Sequence, residues 1–463
     1  MRDHQSGYQD PDERVTPLEA RIESATEPFL EFVKNQKSSS FLLLICTASA
    51  LLLANLLPES YFHAIDIPMG FMLADQVYGM SAKHWVNDGL MALFFFLLGL
   101  EIKREFMAGH LKEAGARNLI IFASMGGMVF PALIYLIVNA GDDGILLGWG
   151  VPMATDTAFA IGVLALLGSG APRALFSFLV AYAIIDDLGA ILVIALFYSE
   201  ALAWSWLGGV AVLFAALAML NVAGFRHPLP YTFFGVALWL CMLNSGVHAT
   251  LAGILVALTV PARPRHGSSW LVKKFSRSAH DMDVPQVHER PILESEQHHQ
   301  LLRELEESTR LSMTPLQRWE GKLDMPVSLL IMPIFALFNA GVVLSGDTVF
   351  ESLSHPIGLG ILLGLLVGKP LGIFAMSWLA LKIGWGQLPK GLTMQQVLGL
   401  GLLGGIGFTM SIFISNLAFG SDPVLINAAK IAILCSSAMA ALFAFALLSH
   451  SLRTKESQHE NAH

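Results

Sequence analysis

Charge is what this sequence most lacks. Only 14% of its 463 residues are Asp, Glu, Lys or Arg, while 54% are hydrophobic. Water-soluble domains carry roughly 25% charged residues, so a soluble globular fold is excluded. Cysteine is scarce too. Cys46, Cys241 and Cys435 are far apart, each inside an apolar run; this argues against a disulfide framework or cysteine metal site and for small core residues. The first 37 residues are polar and lack the short apolar core and cleavage site of a secretory signal. The net charge of −8 comes mainly from the soluble segments and says little about partners.

What the chain does have is apolar runs near the ~20 residues that cross a bilayer as helix. Twelve are expected, near 40–57, 84–106, 118–139, 147–168, 173–198, 203–221, 229–243, 247–261, 326–344, 357–381, 395–419 and 424–449. The reading is therefore an all-α polytopic membrane protein with twelve transmembrane helices. Basic residues set its orientation. Lys103, Arg104, Lys112 and Arg117 follow the second run, Arg173 the fourth, Arg226 the sixth, Lys382 and Lys390 the tenth, and Arg453 and Lys455 the twelfth. The alternate connections, GDDG (141–144), SEA (199–201), GDTVFES (346–352) and GSDP (420–423), hold no Lys or Arg. Positive residues stay inside, so both termini and every even connection are expected in the cytoplasm; only Lys83 breaks the alternation.

The organisation that follows is a polar N-terminal tail (1–37), helices one to eight (38–261), a long cytoplasmic loop (262–323), helices nine to twelve (324–449) and a C-terminal tail (450–463). Within it, 58–82 is expected as an outer connection with hairpin character around Pro-Met-Gly. The long loop contains HHQLLRELEESTRL, which reads as a surface helix. Its histidines (His266, His280, His288, His298, His299) read as a solvated loop, because no helical His spacing with a carboxylate partner is present.

Ionisable residues inside the membrane are costly and mark function. Asp186 and Asp187 lie side by side in AYAIIDDLGAILVIALF. Adjacent helix positions point about 100° apart, so one carboxylate can face a cavity while the other faces a neighbouring helix. Thr155 and Asp156 follow Pro152 in VPMATDTAFAIG, where the proline weakens the helix. Gly404, Gly405 and Gly407 cluster in GLGLLGGIGFTMSIFISN. Runs four and eleven hold corresponding places in the triplets three-to-five and ten-to-twelve. Paired interrupted helices of this kind point to a midplane site built on half-helix ends. Lys369, followed by Pro370 in LLVGKPLGIF, is too central to reach water and needs Asp186 or Asp156 beside it. The second run places Asp88 near its outer end and Glu101 and Glu105, four apart on one face, near its inner end. Glu105 could equally be a solvated helix end. His248, heading run eight, is either a pH-responsive group or a capped helix start.

With these residues assembled, the chain resembles the NhaA family of bacterial sodium/proton antiporters from about residue 40 to 449. The resemblance rests on WVNDGLMALFFFLLGLEIKRE, PMATDTAFAIGVLALLG, AIIDDLGAILVIALFY, SGVHATLAG, FALFNAGV, GKPLGI and GGIGFTMSIFI. It implies two inverted three-helix repeats with discontinuous helices 4 and 11, in a bacterial inner membrane. It implies that Asp187 is the main ligand for Na⁺ or Li⁺, Asp186 its partner in proton exchange, and Thr155 a further ligand. It implies that Asp156 and Lys369 compensate half-helix dipoles, Lys369 also pairing Asp186. Asp88 matches a further acidic site, and Glu101, Glu105 and His248 match positions tied to pH response. A homodimer through 58–82 is implied, with no resident cofactor, no enzymatic reaction and no nucleic-acid partner. The polar N-terminal tail is an addition to the family pattern, and three further departures stand out. The family joins helices eight and nine by a short basic loop, whereas this chain has about sixty residues there; PARPRHG lacks a carboxylate; and Glu320 in RWEGKLDMP is one position off the family's acidic residue.

The residues support the same expectation independently. Burial disfavours a charged carboxylate, so Na⁺ and H⁺ can compete for the same oxygens near neutral pH. A small hard cation suits carboxylate, hydroxyl and freed backbone oxygens. If Asp187 and a second group both exchange protons, transport is electrogenic. An intramembrane aspartyl protease would need two aspartates facing each other from different helices. A sodium-coupled symporter or a cation channel of related fold is the nearer alternative.

Overall fold

The computed structural model describes residues 36–73, 76–108, 114–141, 144–168, 171–199, 201–282, 296–420 and 422–460. The expected N-terminal tail before Gln36, together with Lys112, the Asp142–Asp143 pair and His288, lies outside the described residues.

Apolar runs become helices because backbone groups in hydrocarbon must satisfy one another within a segment. In chain order these are α1 (Gln36–Leu56), α2 (Pro58–Asp66), α3 (Ala82–Met107), α4 (Ala114–Val138), a 3₁₀ segment (Leu146–Met153), α5 (Thr157–Ala165) and α6 (Arg173–Phe197). There follow α7 (Trp204–Val222), α8 (Pro228–Leu243), α9 (Leu251–Thr259), α10 (Ser268–Met282), α11 (Glu296–Ser312), α12 (Pro315–Asn339) and α13 (Gly346–Ser354). The chain ends with α14 (Pro356–Lys382), α15 (Met394–Gly404), α16 (Phe408–Phe419) and α17 (Pro423–Glu460). Among the described residues, nine helical stretches are long and apolar enough to cross a membrane, or ten when α15 and α16, bent by 48° at their junction, count as one. The protein is an all-helical, multi-span membrane protein.

Two of the twelve expected runs fall short. The runs at 229–243 and 247–261 form α8, of 16 residues, and α9, of 9. At 1.5 Å per residue they reach about 24 and 14 Å, less than the ~30 Å hydrocarbon core. The turn between them ends α8 early: Gly246 takes φ +81°, and Ser245 Oγ donates to the Met242 carbonyl. The segment 58–82 is likewise only partly a hairpin. Pro58 at the first helical position and buried Tyr61 and Ile65, four apart, make α2. The strands are confined to β1 (Pro68–Leu73) and β2 (Gln76–Ser81), paired antiparallel from Pro68↔Ser81 to Leu73↔Gln76.

The long connection is more ordered than a loop with one surface helix. α10 was not expected; its pattern is short and interrupted by serines. It packs against α11, with Lys274 Nζ 2.7 Å from Glu304 Oε2, and Arg265 N–H donates to the Leu311 carbonyl where the two helices leave the bundle. His266 stacks on Trp270, ring centroids 4.0 Å apart.

One end of the bundle is basic. There Arg104 pairs Glu320 at 2.8 Å, Lys103 donates to the Leu258 and Val260 carbonyls, and Arg318 reaches the Arg226 carbonyl. The opposite end carries the β-hairpin, where Trp85 Nε1 donates to the Met69 carbonyl.

The centre is held by the crossing of α4 and α14. A Cβ added at Gly126 would overlap the Gly372 carbonyl, and one at Gly372 would overlap that of Gly126. On the same seam Gly368 lies against Pro131, while Gly364 packs on Pro152 of the 3₁₀ segment. Small residues let backbones approach where lipid offers no hydrophobic drive between helices. Gly372→Ala is therefore expected to cost about 1–3 kcal/mol through overpacking, read as a lower unfolding midpoint of the detergent-purified protein. Gly321→Ala, whose added methyl meets nothing within 4 Å, should leave that midpoint unchanged or slightly raised.

Candidate functional site

The interruption before α5 is written in its composition. Leu146–Met153 carries Gly148, Gly150 and Pro152, which weaken an α-helix by entropy and by the missing N–H. The segment instead winds as 3₁₀ and is clamped from outside. Tyr135 Oη donates to the Ile145 carbonyl, Tyr198 Oη donates to that of Leu147, and Gly150 N–H donates to Tyr198 Oη. The chain is then non-helical over Ala154–Asp156 before α5 begins. The second interruption, at Gly405–Gly407, separates α15 from α16. The two breaks meet. Asp156 N–H donates to the Ile406 carbonyl at 2.7 Å, and Ser411 Oγ donates to the Val151 carbonyl at 2.8 Å.

Breaking helices inside a membrane leaves backbone dipole ends to neutralise. Asp156 serves two of them. Its Oδ1 accepts from Phe159 N–H, capping α5, and its Oδ2 accepts from the N–H and hydroxyl of Thr409 in the first turn of α16. An anion shared by two helix N-termini is in the favourable position. The carbonyl end of the 3₁₀ segment is met by a cation: Lys369 Nζ donates to the Met153 carbonyl.

Lys369 is brought there by the wide π turn Gly364–Gly368 that precedes it and by Pro370, which has no N–H to give. It is fully buried, and its Nζ lies 2.9 Å from Asp186 Oδ2. Asp186 and Asp187 sit midway along α6, both buried. The Thr155 hydroxyl lies 2.8 Å from Asp186 Oδ2 and 2.9 Å from the Gly404 carbonyl; with one hydrogen it donates to one at a time. Asp187 turns the other way, its Oδ2 accepting from Thr157 Oγ1 at 3.3 Å. The second carboxylate oxygen of each, Oδ1, is buried with no hydrogen-bond partner.

The charge balance decides what this arrangement can do. Among the described residues, Asp186 and Asp187 share the Lys369 ammonium, and Asp156 stands at the two helix N-termini beside them. Two helix ends stabilise Asp156, and Lys369 is committed to Asp186. Asp187 has neither. A buried anion without compensation is very costly, so the pocket has use for a further positive charge, which a proton or a metal cation can supply. Unpartnered carboxylate oxygens beside a hydroxyl and a freed carbonyl form a donor set that fits a small hard cation.

The other predicted residues fall into two groups at opposite ends of α3. At the hairpin end, Asp88 Oδ1 is 3.9 Å from His248 Nδ1, and His248 lies edge-on to Phe413. The N-cap of α9 is Thr250, not His248, so the capping alternative for His248 does not hold. At the basic end, Glu105 is buried, which removes the solvated-end alternative, and half-buried Glu101 lies within electrostatic reach of Glu320, Arg104 and Asp324. The charge of Glu101 is also felt at Asp187. Asp88 and His248 are thus not in one funnel with Glu101 and Glu105; about 20 Å of helix separates Asp88 from Glu101.

Sequence reasoning missed four residues. Thr157 and Thr409 are the hydroxyls on Asp187 and Asp156, and both stood in quoted motifs; their pairing depends on the crossing of distant segments. Tyr182, one turn before Asp186, stood in the quoted AYAIIDD stretch, but a tyrosine in an apolar run reads first as a packing residue. Lys430 is a buried lysine on α17, visible in NAAKIAIL as a charge inside an apolar run. Among the described residues, no three His, Cys, Asp or Glu side chains converge as a metal group.

Comparison with known proteins agrees with this geometry. The sequence model of the family described as "Na+/H+ antiporter 1" matches residues 30–448. Na(+)/H(+) antiporter NhaA 1 of Saccharophagus degradans is 44% identical over 441 residues, covering 95% of each chain. NhaA 1 of Shewanella denitrificans is 45% identical over 433 residues, 92% of this chain and 94% of that one. NhaA of Sulfurimonas denitrificans is 42% identical over 430 residues, 93% and 96%. A transporter-type membrane fold, a buried site at two crossed helix breaks and matches along nearly the whole chain lead to one conclusion: this protein belongs to the NhaA family of Na⁺/H⁺ antiporters.

Proposed function

We propose that this protein exports Na⁺, and Li⁺ as an analogue, in exchange for protons, using Asp187 as the principal cation ligand. The observation that carries the reading is the charge deficit around Asp187, beside the Asp186–Lys369 pair and the Thr155 hydroxyl. Asp187 and Asp186 hold the cation with Thr155 in one stage of the cycle. In the other stage protons take over the negative charge, and Lys369 Nζ bonds Asp186. The two species exclude one another because both neutralise the same oxygens. Alternating exposure of one site then couples their fluxes, and the crossed breaks are the elements that shift. If Asp187 and one further group each release a proton per cation, the cycle moves net charge and responds to membrane potential.

On this reading the site lies halfway through a bacterial inner membrane, with twelve crossings, six of them in two inverted three-helix repeats, and α8 and α9 included as short crossings. The basic end and both termini are cytoplasmic. Glu101, Glu105 and Glu320 lead from the cytoplasm toward Asp187, and their acids and Arg104 supply a pH response; Asp88 and His248 line the outer approach. The β-hairpin, a two-stranded sheet with both edges open, joins two copies into a homodimer. A channel would have no use for a lysine bonded into the site, and a symporter would need room for an organic solute beside it.

Two measurements test the proposal. Asp187→Asn should abolish Na⁺-dependent collapse of ΔpH in everted vesicles while the protein still inserts at parental levels; retained exchange would remove Asp187 as the ligand. Lys369→Ala leaves Asp186 buried without its cation and the 3₁₀ carbonyl end without a donor, a loss of about 3–5 kcal/mol by the precedent of broken buried ion pairs. The unfolding midpoint in detergent should fall well below that of the parent, and an unchanged melting curve together with an unchanged pH profile would contradict the role.

A further inference from the structure

Tyr182 is a polar side chain at the site that neither the charge balance nor the helix ends require. It stands four residues before Asp186 on α6, hence on the same face. It is 1% exposed, and its Oη is buried with no hydrogen-bond partner. Buried tyrosine hydroxyls ordinarily have a partner, and a phenylalanine would fill the same space without leaving a polar atom unpaired. The surroundings make room for the oxygen in particular. A Cβ at Gly127 or at Gly404 would approach Tyr182 Oη to 2.7 or 3.2 Å, so glycines on α4 and α15 border it. The Gly404 carbonyl is the same one that the Thr155 hydroxyl reaches. The Tyr182 hydroxyl lies within loose hydrogen-bonding reach of both the Asp186 carboxylate and the Thr155 hydroxyl, without the alignment of a full hydrogen bond to either.

We propose that the Tyr182 hydroxyl is a further neutral oxygen ligand of the transported cation, completing a cluster with Thr155, the Gly404 carbonyl and the unpartnered Oδ1 atoms of Asp186 and Asp187. A phenol can donate its hydrogen to a carboxylate oxygen while its lone pairs face a cation. That dual use suits a position one helical turn from Asp186, because it orients the carboxylate and adds an oxygen to a cation that needs about six. The inference rests on the reading of this pocket as the cation site.

The test is Tyr182→Phe, which keeps the ring and removes only the oxygen. In everted vesicles the apparent KM for Na⁺ is expected to rise about 3–10-fold, the effect of losing one neutral ligand, with the maximal rate within about twofold of the parent. An unchanged KM in a variant that still exchanges overturns the assignment of Tyr182 and leaves the antiport reading standing. A parent protein that collapses no ΔpH on addition of Na⁺ overturns the antiport reading, and this inference with it. Should the variant insert poorly, stabilisation of the purified protein against heat by added NaCl gives an independent readout. The Na⁺ concentration for half the shift should rise by the same factor, and equal midpoints for parent and variant would refute the proposal.

Discussion

The ion pair between Lys369 and Asp186 is the contact on which the centre of this protein depends. Neither partner touches water, and each alone would be a buried unpaired charge in a membrane. Lys369 also holds the carbonyl end of the 3₁₀ segment, and Asp186 holds Thr155, which reaches the end of α15. One pair therefore ties α6 and α14 to both interrupted helices. Buried ion pairs are rarely the most stabilising solution for a core. Their retention makes physical sense where the charge distribution is to be changed by a ligand, since an ammonium that shares a carboxylate with an incoming cation reports its arrival as an altered bond.

The interruptions themselves follow from the same economy. A continuous helix satisfies every backbone group and has none to spare for an ion. Breaking two helices at one depth frees carbonyls and N–H groups together, and crossing them lets much of the damage cancel. Asp156 N–H bonds the Ile406 carbonyl, and the Asp156 carboxylate stands at the N-termini of α5 and α16. What is left uncancelled is the Asp187 carboxylate and the unpartnered oxygens around it, so the place where the backbone is disrupted is also the place short of positive charge.

Much of this was legible in the sequence, for a simple reason. Charge in hydrocarbon is so costly that Asp186, Asp187, Asp156 and Lys369 announce themselves in a chain with 14% charged residues, and Pro152 and the glycines at 404–407 mark the breaks beside them. Less legible was anything that depends on which segments meet. The hydroxyl of Thr409 on Asp156 joins residues 253 apart, and no periodicity in α16 points to it. The division of the α3 acids into two groups was visible in their spacing, but the placement of His248 beside Asp88 needed the turn at Gly246. Length was the weakest guide. Apolar composition marked α8 and α9, and Ser245 and Gly246 cut them short. Surface helices such as α10 are set by packing on a neighbour rather than by an apolar run, so a reading tuned to membrane spans passed over it.

The distribution of hydroxyls bears on where the proposed cation site lies. Thr409 and Ser411 lie close to the helix breaks, but their hydroxyls are committed: Thr409 to Asp156, Ser411 to the Val151 carbonyl. Thr157 is bonded to Asp187 through the oxygen that faces α5. Thr155 divides one hydrogen between two acceptors, and Tyr182 gives its hydrogen to none in a full hydrogen bond. Elsewhere, Thr250 and Ser377 are also buried without partners; of these hydroxyls near the helix breaks, the under-used ones are therefore the two nearest Asp186. A site assembled for stability would have satisfied these first, because unpaired buried polar atoms are the most expensive defects a membrane core can carry. On the proposed reading, their position beside the Asp186–Asp187 pair lets Thr155 and Tyr182 add to the oxygens of Asp187, so that the binding chemistry does not rest on the crossing of the broken helices alone.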